Sequence, residues 1–421
     1  MNRSIKVIFS GLFLSLALAN TSQANALSDG IEKAFEDDVV SLSFRYRYEA
    51  VDDDAFSRDA TANTLKTSLT IAPKLDDWLF LGQVDNVLHL TNDRFNDTRN
   101  GKNTDGYPTV ADPDGTNINQ LFVRYDGFKD TQLLVGRRQI QRINKRFIGG
   151  VEWRQNEQTY DTVSAEYNTD KLDLFYAYVS NVERIFGPDS RTGTQPPDNL
   201  DSDTHLIDGS YTFSPALTLA GYGYFIDIEE DTQEKLSNQT LGLRATGKVG
   251  SADAMNLDYQ AEFATQKDHA DNPNDYDADY YLLDATLNVS RFSIRGGYEV
   301  LGGDRSAGQA FQTPLATLHK FQGWADKFLV TPTAGIQDMY AGATAKFLGG
   351  KFSIYYHDFE AEEGSTDYGS EIDASALWKI GKHYSVLLKA AKFNADSKYT
   401  AMNTTKNDDA TKVWVQLGAA W

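Results

Sequence analysis

The chain has 421 residues, with 60 acidic against 40 basic side chains and no cysteine. The acidic excess argues against nucleic acid as a partner. The missing thiols exclude disulfides, cysteine-based zinc sites, thiolate catalysis and a lipidated N-terminal cysteine.

At the start, Arg3 and Lys6 precede an apolar stretch from Val7 to Ala19 and the small residues Ala24, Asn25 and Ala26. This is the layout of a secretory signal peptide cleaved after Ala26. The apolar stretch is too short for a spanning helix, which needs about 20 residues. Residues 1–26 are therefore read as a signal peptide and 27–421 as one domain, since no linker or change of texture divides the rest.

From Val39 onward a two-residue period takes over. Val40, Leu42, Phe44, Tyr46 and Tyr48 share one face, and Ser41, Ser43, Arg45, Arg47 and Glu49 the other. Later, Met255, Leu257, Tyr259, Ala261 and Phe263 oppose Asn256, Asp258, Gln260 and Glu262. One face suits lipid and the other water, and runs of about 9 to 11 residues suit a strand tilted across a bilayer. The pattern predicts strands over 39–49, 63–72, 77–90, 118–127, 130–140, 157–168, 171–181, 204–213 and 216–228. A second set covers 238–249, 254–266, 278–289, 291–302, 336–347, 351–360, 368–379, 382–394 and 411–421. The expected fold is all-β: a single transmembrane antiparallel barrel of about 18 strands.

Short links such as Pro73 to Asp76, Gly127 to Lys129, Asn168 to Asp170, Ser214 to Pro215, Gly250 to Asp253 and Leu348 to Gly350 alternate with long polar ones at 91–117, 182–203, 303–335 and 395–410. Short periplasmic turns and long extracellular loops follow that pattern, placing the protein in a Gram-negative outer membrane. Trp78, Trp378 and Trp421 fall on apolar faces at the turn end, where an aromatic girdle is expected. The last strand ends Val413, Val415, Leu417, Ala419, Trp421, the form of terminal strand that barrel-assembly machinery takes up.

Charge on the water-facing sides is mixed. Arg45, Arg47, Arg124, Arg244 and Arg295 share polar faces with Glu49, Asp126, Asp258, Glu262, Asp284 and Glu299. Arg137, Arg138, Arg142, Lys145, Arg146 and Arg154 form a basic cluster. The four-residue spacing of Arg138, Arg142 and Arg146 would align them on one side of a strand or helical turn, as a ladder of fixed cations beside a passing solute. Arg154 is grouped with them, and arginine's planar fork suits carboxylate or phosphate. The alternatives are that these arginines pair with lumen acids, or hold lipopolysaccharide phosphates at the rim.

The loop from Gly303 to Gly335 carries Phe311, Leu315, Leu318, Phe321, Trp324, Phe328 and Leu329, too much apolar surface for a solvated loop. Folded inward it would narrow or gate the pore, with His319, Lys320, Trp324, Asp326 and Lys327 at the constriction; packing against neighbouring loops or lipid is the alternative. No motif points to a cofactor, a metal or catalysis, so no enzyme activity is expected. The acidic stretch Asp271 to Asp279 lacks the spacing of an EF-hand.

Two stretches carry a family resemblance. GRRQIQRINKRFIGGVEWRQNEQTYD at 136–161 and FQTPLATLHKFQGWADKFLVTP at 311–332 resemble segments of the alginate export family of outer-membrane barrels. The resemblance implies an eighteen-stranded, monomeric barrel whose alginate-transporting members pass a polyuronate along an arginine-rich lumen. The expected function is passive diffusion of hydrophilic, anionic or saccharide solutes. A surface receptor, an adhesin or a barrel hydrolase is the competing reading. Expected partners are outer-membrane lipid and lipopolysaccharide, the assembly machinery and the solute.

Overall fold

A computed structural model describes residues 39–91, 94–98, 106–187, 197–230, 232–251, 255–397 and 408–421. The signal-peptide segment 1–26 lies outside the described residues, as do parts of three of the long links.

Eighteen antiparallel strands form the wall. The first six are β1 (Val40–Asp53), β2 (Ala60–Ile71), β3 (Trp78–His89), β4 (Gly115–Phe128), β5 (Thr131–Arg138) and β6 (Thr159–Asn168). Next come β7 (Leu172–Glu183), β8 (Asn199–Ser214), β9 (Leu217–Ile226), β10 (Asn238–Gly250), β11 (Met255–Asp268) and β12 (Asp277–Val289). The last six are β13 (Phe292–Leu301), β14 (Ile336–Phe347), β15 (Gly350–Glu360), β16 (Asp367–Ile380), β17 (Tyr384–Ala395) and β18 (Ala410–Ala420). Each strand pairs with its sequence neighbours, and β1 pairs with β18 from Ser43↔Ala420 to Asp53↔Ala410, which closes the cylinder and leaves no edge.

The two-residue period decides which face is which. Leu243, Leu283 and Ile294 point outward and are 69%, 62% and 64% exposed, as a lipid-facing surface requires, while Arg47 and Glu49 point inward and are almost fully enclosed. At the short-turn end Trp421 packs against Phe44 and Tyr384, Trp78 against Tyr125, and Trp378 against Phe352.

Every expected strand is present, but several run further than expected at the long-loop end. β1 continues to Asp53, β2 starts at Ala60, β4 at Gly115 and β8 at Asn199. Beyond the hydrocarbon band both faces of a strand meet water or polar groups, so the alternation fades while the ladder of backbone hydrogen bonds continues.

Candidate functional site

Two connections leave the wall and fold into the barrel. The first, residues 139–158 between β5 and β6, contains neither strand nor helix. Ile143, Lys145 and Val151 take left-handed backbone conformations there, so the chain doubles back within a short span. The second is the apolar connection 302–335 between β13 and β14, which contains the small pairing of Gly303–Asp304 with Gln309–Ala310 and a 3-10 turn at Leu318–Lys320.

The two segments bind each other through backbone groups. Gly149 N donates to Leu315 O (2.9 Å) and Thr317 N to Lys145 O (3.1 Å), while Gln158 Nε2 donates to both Gly149 O and Leu315 O at 3.0 Å. A Cβ on Gly149 would come within 2.8 Å of Thr317 N, so only glycine permits this approach. Around the contact lies a hydrophobic core inside the barrel. Phe147 packs against Tyr222 (5.4 Å), Tyr280 (5.3 Å) and Phe311 (5.8 Å), and Phe328 against Phe359 (4.7 Å) and Phe393 (5.8 Å). The loop 303–335 thus buries Phe311, Leu315 and Phe328 by folding inward, the first of the two arrangements its composition allowed, while Leu329 stays exposed.

The arginine ladder takes a different form from the one its spacing suggests. Arg138, Arg142, Arg146 and Arg154 do not share a side, because the segment beyond Arg138 is irregular and each cation reaches a different sector of the wall. Arg138 pairs with Glu166 on β6 (2.8 Å); Arg142 bridges Asp173 on β7 (2.8 Å) and Asp208 on β8 (2.5 Å). Arg146 reaches Glu299 on β13 (2.8 Å), and Arg154 reaches Glu49 on β1 (3.1 Å). Arg146, Arg154, Arg47, Glu262 and Glu299 are buried, so in this structure they meet one another's neighbourhoods rather than lumen water. The reason is electrostatic: a buried guanidinium needs a carboxylate, and wall acids supply it.

Of the other expected site residues, Arg45, Arg47 and Lys327 join the in-folded segments to the wall, whereas Arg244, Arg295 and Arg124 pair within the wall itself. Arg45 donates to Gln155 Oε1 (2.9 Å) and to the carbonyls of Glu152 (2.8 Å) and Arg154; Arg47 lies 4.2 Å over the Trp153 ring and donates to Gln416. Arg244 pairs with Glu262 (3.0 Å) and Arg295 with Asp284 (2.6 Å). Arg124 forms a two-pronged pair with Asp126 on its own strand. Lys327 pairs with Asp53 (3.1 Å).

The expected constriction residues His319 and Trp324 converge with residues that the sequence did not single out: Trp153, Glu371, Asp373, Lys389, Lys412 and Trp414. Trp153 stacks on His319 at 4.3 Å with planes 5° apart. His319 Nδ1 lies 2.7 Å from Asp326 Oδ1, and Asp326 Oδ2 accepts from Lys412 (3.0 Å). Burial drives the His319 pKa down to about 3, the opposing pull of Asp326 notwithstanding, so the ring is neutral and Nδ1–H donates to Asp326. Burial alone would raise the Asp326 carboxyl, but His319, Lys412 and Arg154 hold it below the usual carboxylate range. Glu371 on β16 accepts the backbone N–H groups of Trp324 (2.5 Å) and Ala325 (2.7 Å). One signal for these partners was present in the sequence: Trp414 lies on the water-facing side of β18, opposite Val413 and Val415.

Below the in-folded segments, toward the short turns, the lumen opens. One cavity of about 480 Å³ is lined by Arg295, Asp284, Asp258, Asn288 and Lys346, and another of about 420 Å³ by Arg45, Lys66, Glu157, Gln416 and His383. Lys320, exposed on the second segment, donates to Asn144 O (2.6 Å), and among the described residues no carboxylate lies in ion-pair range of it. Enclosure by the wall, then the charges of Lys145, Arg295 and Arg244, lower its ammonium to about 8. Among the described residues, the group of side chains able to hold a metal is His89, Asp97 and Asp114 beside the long loops, their ligand atoms within 4.8 Å of one another.

Comparison with known proteins agrees with this architecture. No curated protein matches the chain. OccAB4 of Acinetobacter baumannii superposes with a TM-score of 0.68 at 15% identity, covering 91% of this chain and 97% of its own. OccK9 (OpdG) of Pseudomonas aeruginosa gives 0.69 at 13% identity, covering 90% and 97%, and OpdK of the same organism, solved with vanillate, 0.66 at 13%, covering 91% and 98%. At such identities the likeness is one of fold, that of outer-membrane porins. The family described as alginate export matches residues 39–298, a range that takes in the arginine-rich stretch 136–161 and ends before 311–332. With more than half its length matched, and with its wall closed as a porin-type barrel of the outer membrane, the chain belongs to the alginate export family.

Proposed function

We propose that this barrel is a passive channel for small hydrophilic anions, acidic saccharides and uronates among them, and that it carries out no catalysis. The observation that carries the reading is Lys320: an exposed ammonium on an in-folded segment, without a carboxylate partner among the described residues and close to Lys145, Arg244 and Arg295. A fixed cation at a narrow point lowers the electrostatic barrier to an anion, and the nearby pairs Lys145–Glu152 and Arg295–Asp284 keep the field moderate, so that a bound anion can leave. That OpdK was solved with vanillate, an organic carboxylate, is in keeping with this solute class.

Reversal potential under a salt gradient in planar bilayers tests it. Anion preference is expected in the native protein, weakened or inverted by Lys320→Glu. Cation preference in the native protein would remove the anion assignment, and absence of any open-state current, with and without uronates, would remove the channel.

A further inference from the structure

Among the many contacts between the in-folded segments and the wall, one side chain of β17 touches both segments. Lys389 projects inward from β17, and its Nζ lies 3.7 Å from the ring centroid of Trp324, 4.3 Å from that of Trp153 and 5.5 Å from that of Trp414. Its Nζ also lies 2.6 Å from His319 Nε2, and the carboxylates of Asp373 and Asp326 are near enough to act on its charge. Because His319 Nδ1–H donates a hydrogen bond to Asp326, Nε2 presents a lone pair and the lysine donates to it. Each element of the lumen contributes one wall of this cage: Trp153 comes from 139–158, Trp324 and His319 from 302–335, and Trp414 from β18.

We propose that Lys389 is the positioning residue of the constriction: its ammonium acts as an internal ligand for a three-tryptophan cage, and occupancy of that cage holds both in-folded segments in place. The proposal rests on the channel reading above. Tryptophan faces attract a cation through the ring quadrupole, most strongly where water is excluded. Without the cation, Trp153 and Trp324 face an empty space and His319 Nε2 loses its donor. The segments then retain their mutual backbone bonds and their ion pairs to the wall but lose the cage contact that both make with β17. The neighbouring glycine is fitted to the same seat: Gly323 has φ +76°, and a Cβ there would lie 2.5 Å from the Glu371 carboxyl. Trp324 is thereby delivered to the cage by a turn that only glycine makes easily.

The cage chemistry also identifies what should replace the side chain. A primary alkylammonium carries the same head group on a short apolar stem, so n-propylammonium should refill a cage emptied by Lys389→Ala. The test uses the full-length protein in planar bilayers, with folding of each variant checked by the heat-dependent shift in electrophoretic mobility of the intact barrel. Expected are a several-fold rise in single-channel conductance for Lys389→Met and Lys389→Ala, and a return toward the native value for Lys389→Ala in millimolar n-propylammonium but not in sodium. Native conductance in Lys389→Met overturns the proposal and leaves the channel reading standing. A rise that the amine does not reverse also overturns it, since the lysine would then be acting as bulk rather than as a ligand. No current from any form, native included, overturns the channel reading and the proposal together.

Discussion

The two halves of the lumen are built on different physics. Toward the short turns the inward side chains are polar, ion-paired and wet, and they enclose open cavities lined by Arg295, Asp284, Lys66 and Glu157. Toward the long loops the inward side chains include Tyr222, Tyr224, Tyr280, Phe359, Phe393 and Trp414, and they pack against Phe147, Phe311 and Phe328 as in a soluble core. One wall with a single alternating pattern therefore supports two interiors. The difference is supplied by the in-folded segments, which bring the apolar surface that makes aromatic residues tolerable inside a water-filled cylinder. A lumen filled this way predicts separable stability, the in-folded segments coming unseated while the wall stays closed.

If that separation is real, damage to the filled half should leave the wall intact. Arg146 and Glu299 are buried together, so Arg146→Met leaves an uncompensated carboxylate and should cost about 3–5 kcal/mol in the seating of the segments, while Arg146→Met with Glu299→Leu recovers most of it. Protease cleavage within 302–335, set beside the mobility shift of the intact barrel, reads both effects. Cleavage that appears only when the barrel itself unfolds would show one cooperative unit instead of two.

Phe311→Ala removes a fully buried ring from the inner core and should cost about 3–5 kcal/mol by the same assay, somewhat less if the neighbouring Phe147 relaxes into the gap. Gly323→Ala imposes a left-handed alanine against the Glu371 carboxyl, and a loss of about 1–3 kcal/mol is expected.

A smaller and graded effect should follow pH. His319 faces Asp326 and Lys389, with Arg154 and Lys412 beyond Asp326 and Arg47 across Trp153. Its pKa in place, about 3, lies below its ordinary value of 6.5, so the released state binds the proton more readily. The contribution of His319 to seating is therefore complete above pH 6.5 and declines as pH falls from there toward 3. Conductance recorded between pH 7 and pH 4 should rise on acidification, and His319→Gln should flatten that slope. The smallest change is expected in the wall: Leu243→Ala, on the lipid face, should leave conductance and cleavage unaltered.

Much of this was legible in the residues. The strand count, the alternation of short and long links and the tryptophans at the turn end all follow from periodicity, since a barrel strand has no freedom to place an apolar residue inward without a partner there. That 303–335 needed a packing partner was legible as well, because Phe311, Leu315 and Phe328 could not stay in water, but the sequence left open whether that partner lay inside the barrel. The segment 139–158 was not. Its arginines read as an aligned ladder, whereas Arg142, Arg146 and Arg154 reach β7 and β8, β13 and β1 in turn. Lys389 gave no signal, for a lone lysine on a polar face is ordinary.

The sequence by itself thus determined the cylinder, its sidedness and the need of 303–335 for an apolar partner. Those depend on local periodicity, which a bilayer enforces residue by residue. Only the tertiary structure decided which charges stay exposed in the lumen and which are spent in holding the in-folded segments, because that depends on which carboxylate, from a strand between 28 and 105 residues away or further, each cation meets. Arg154 finds Glu49 at 3.1 Å and Lys320 finds a carbonyl; no feature of either neighbourhood in the chain distinguishes the two.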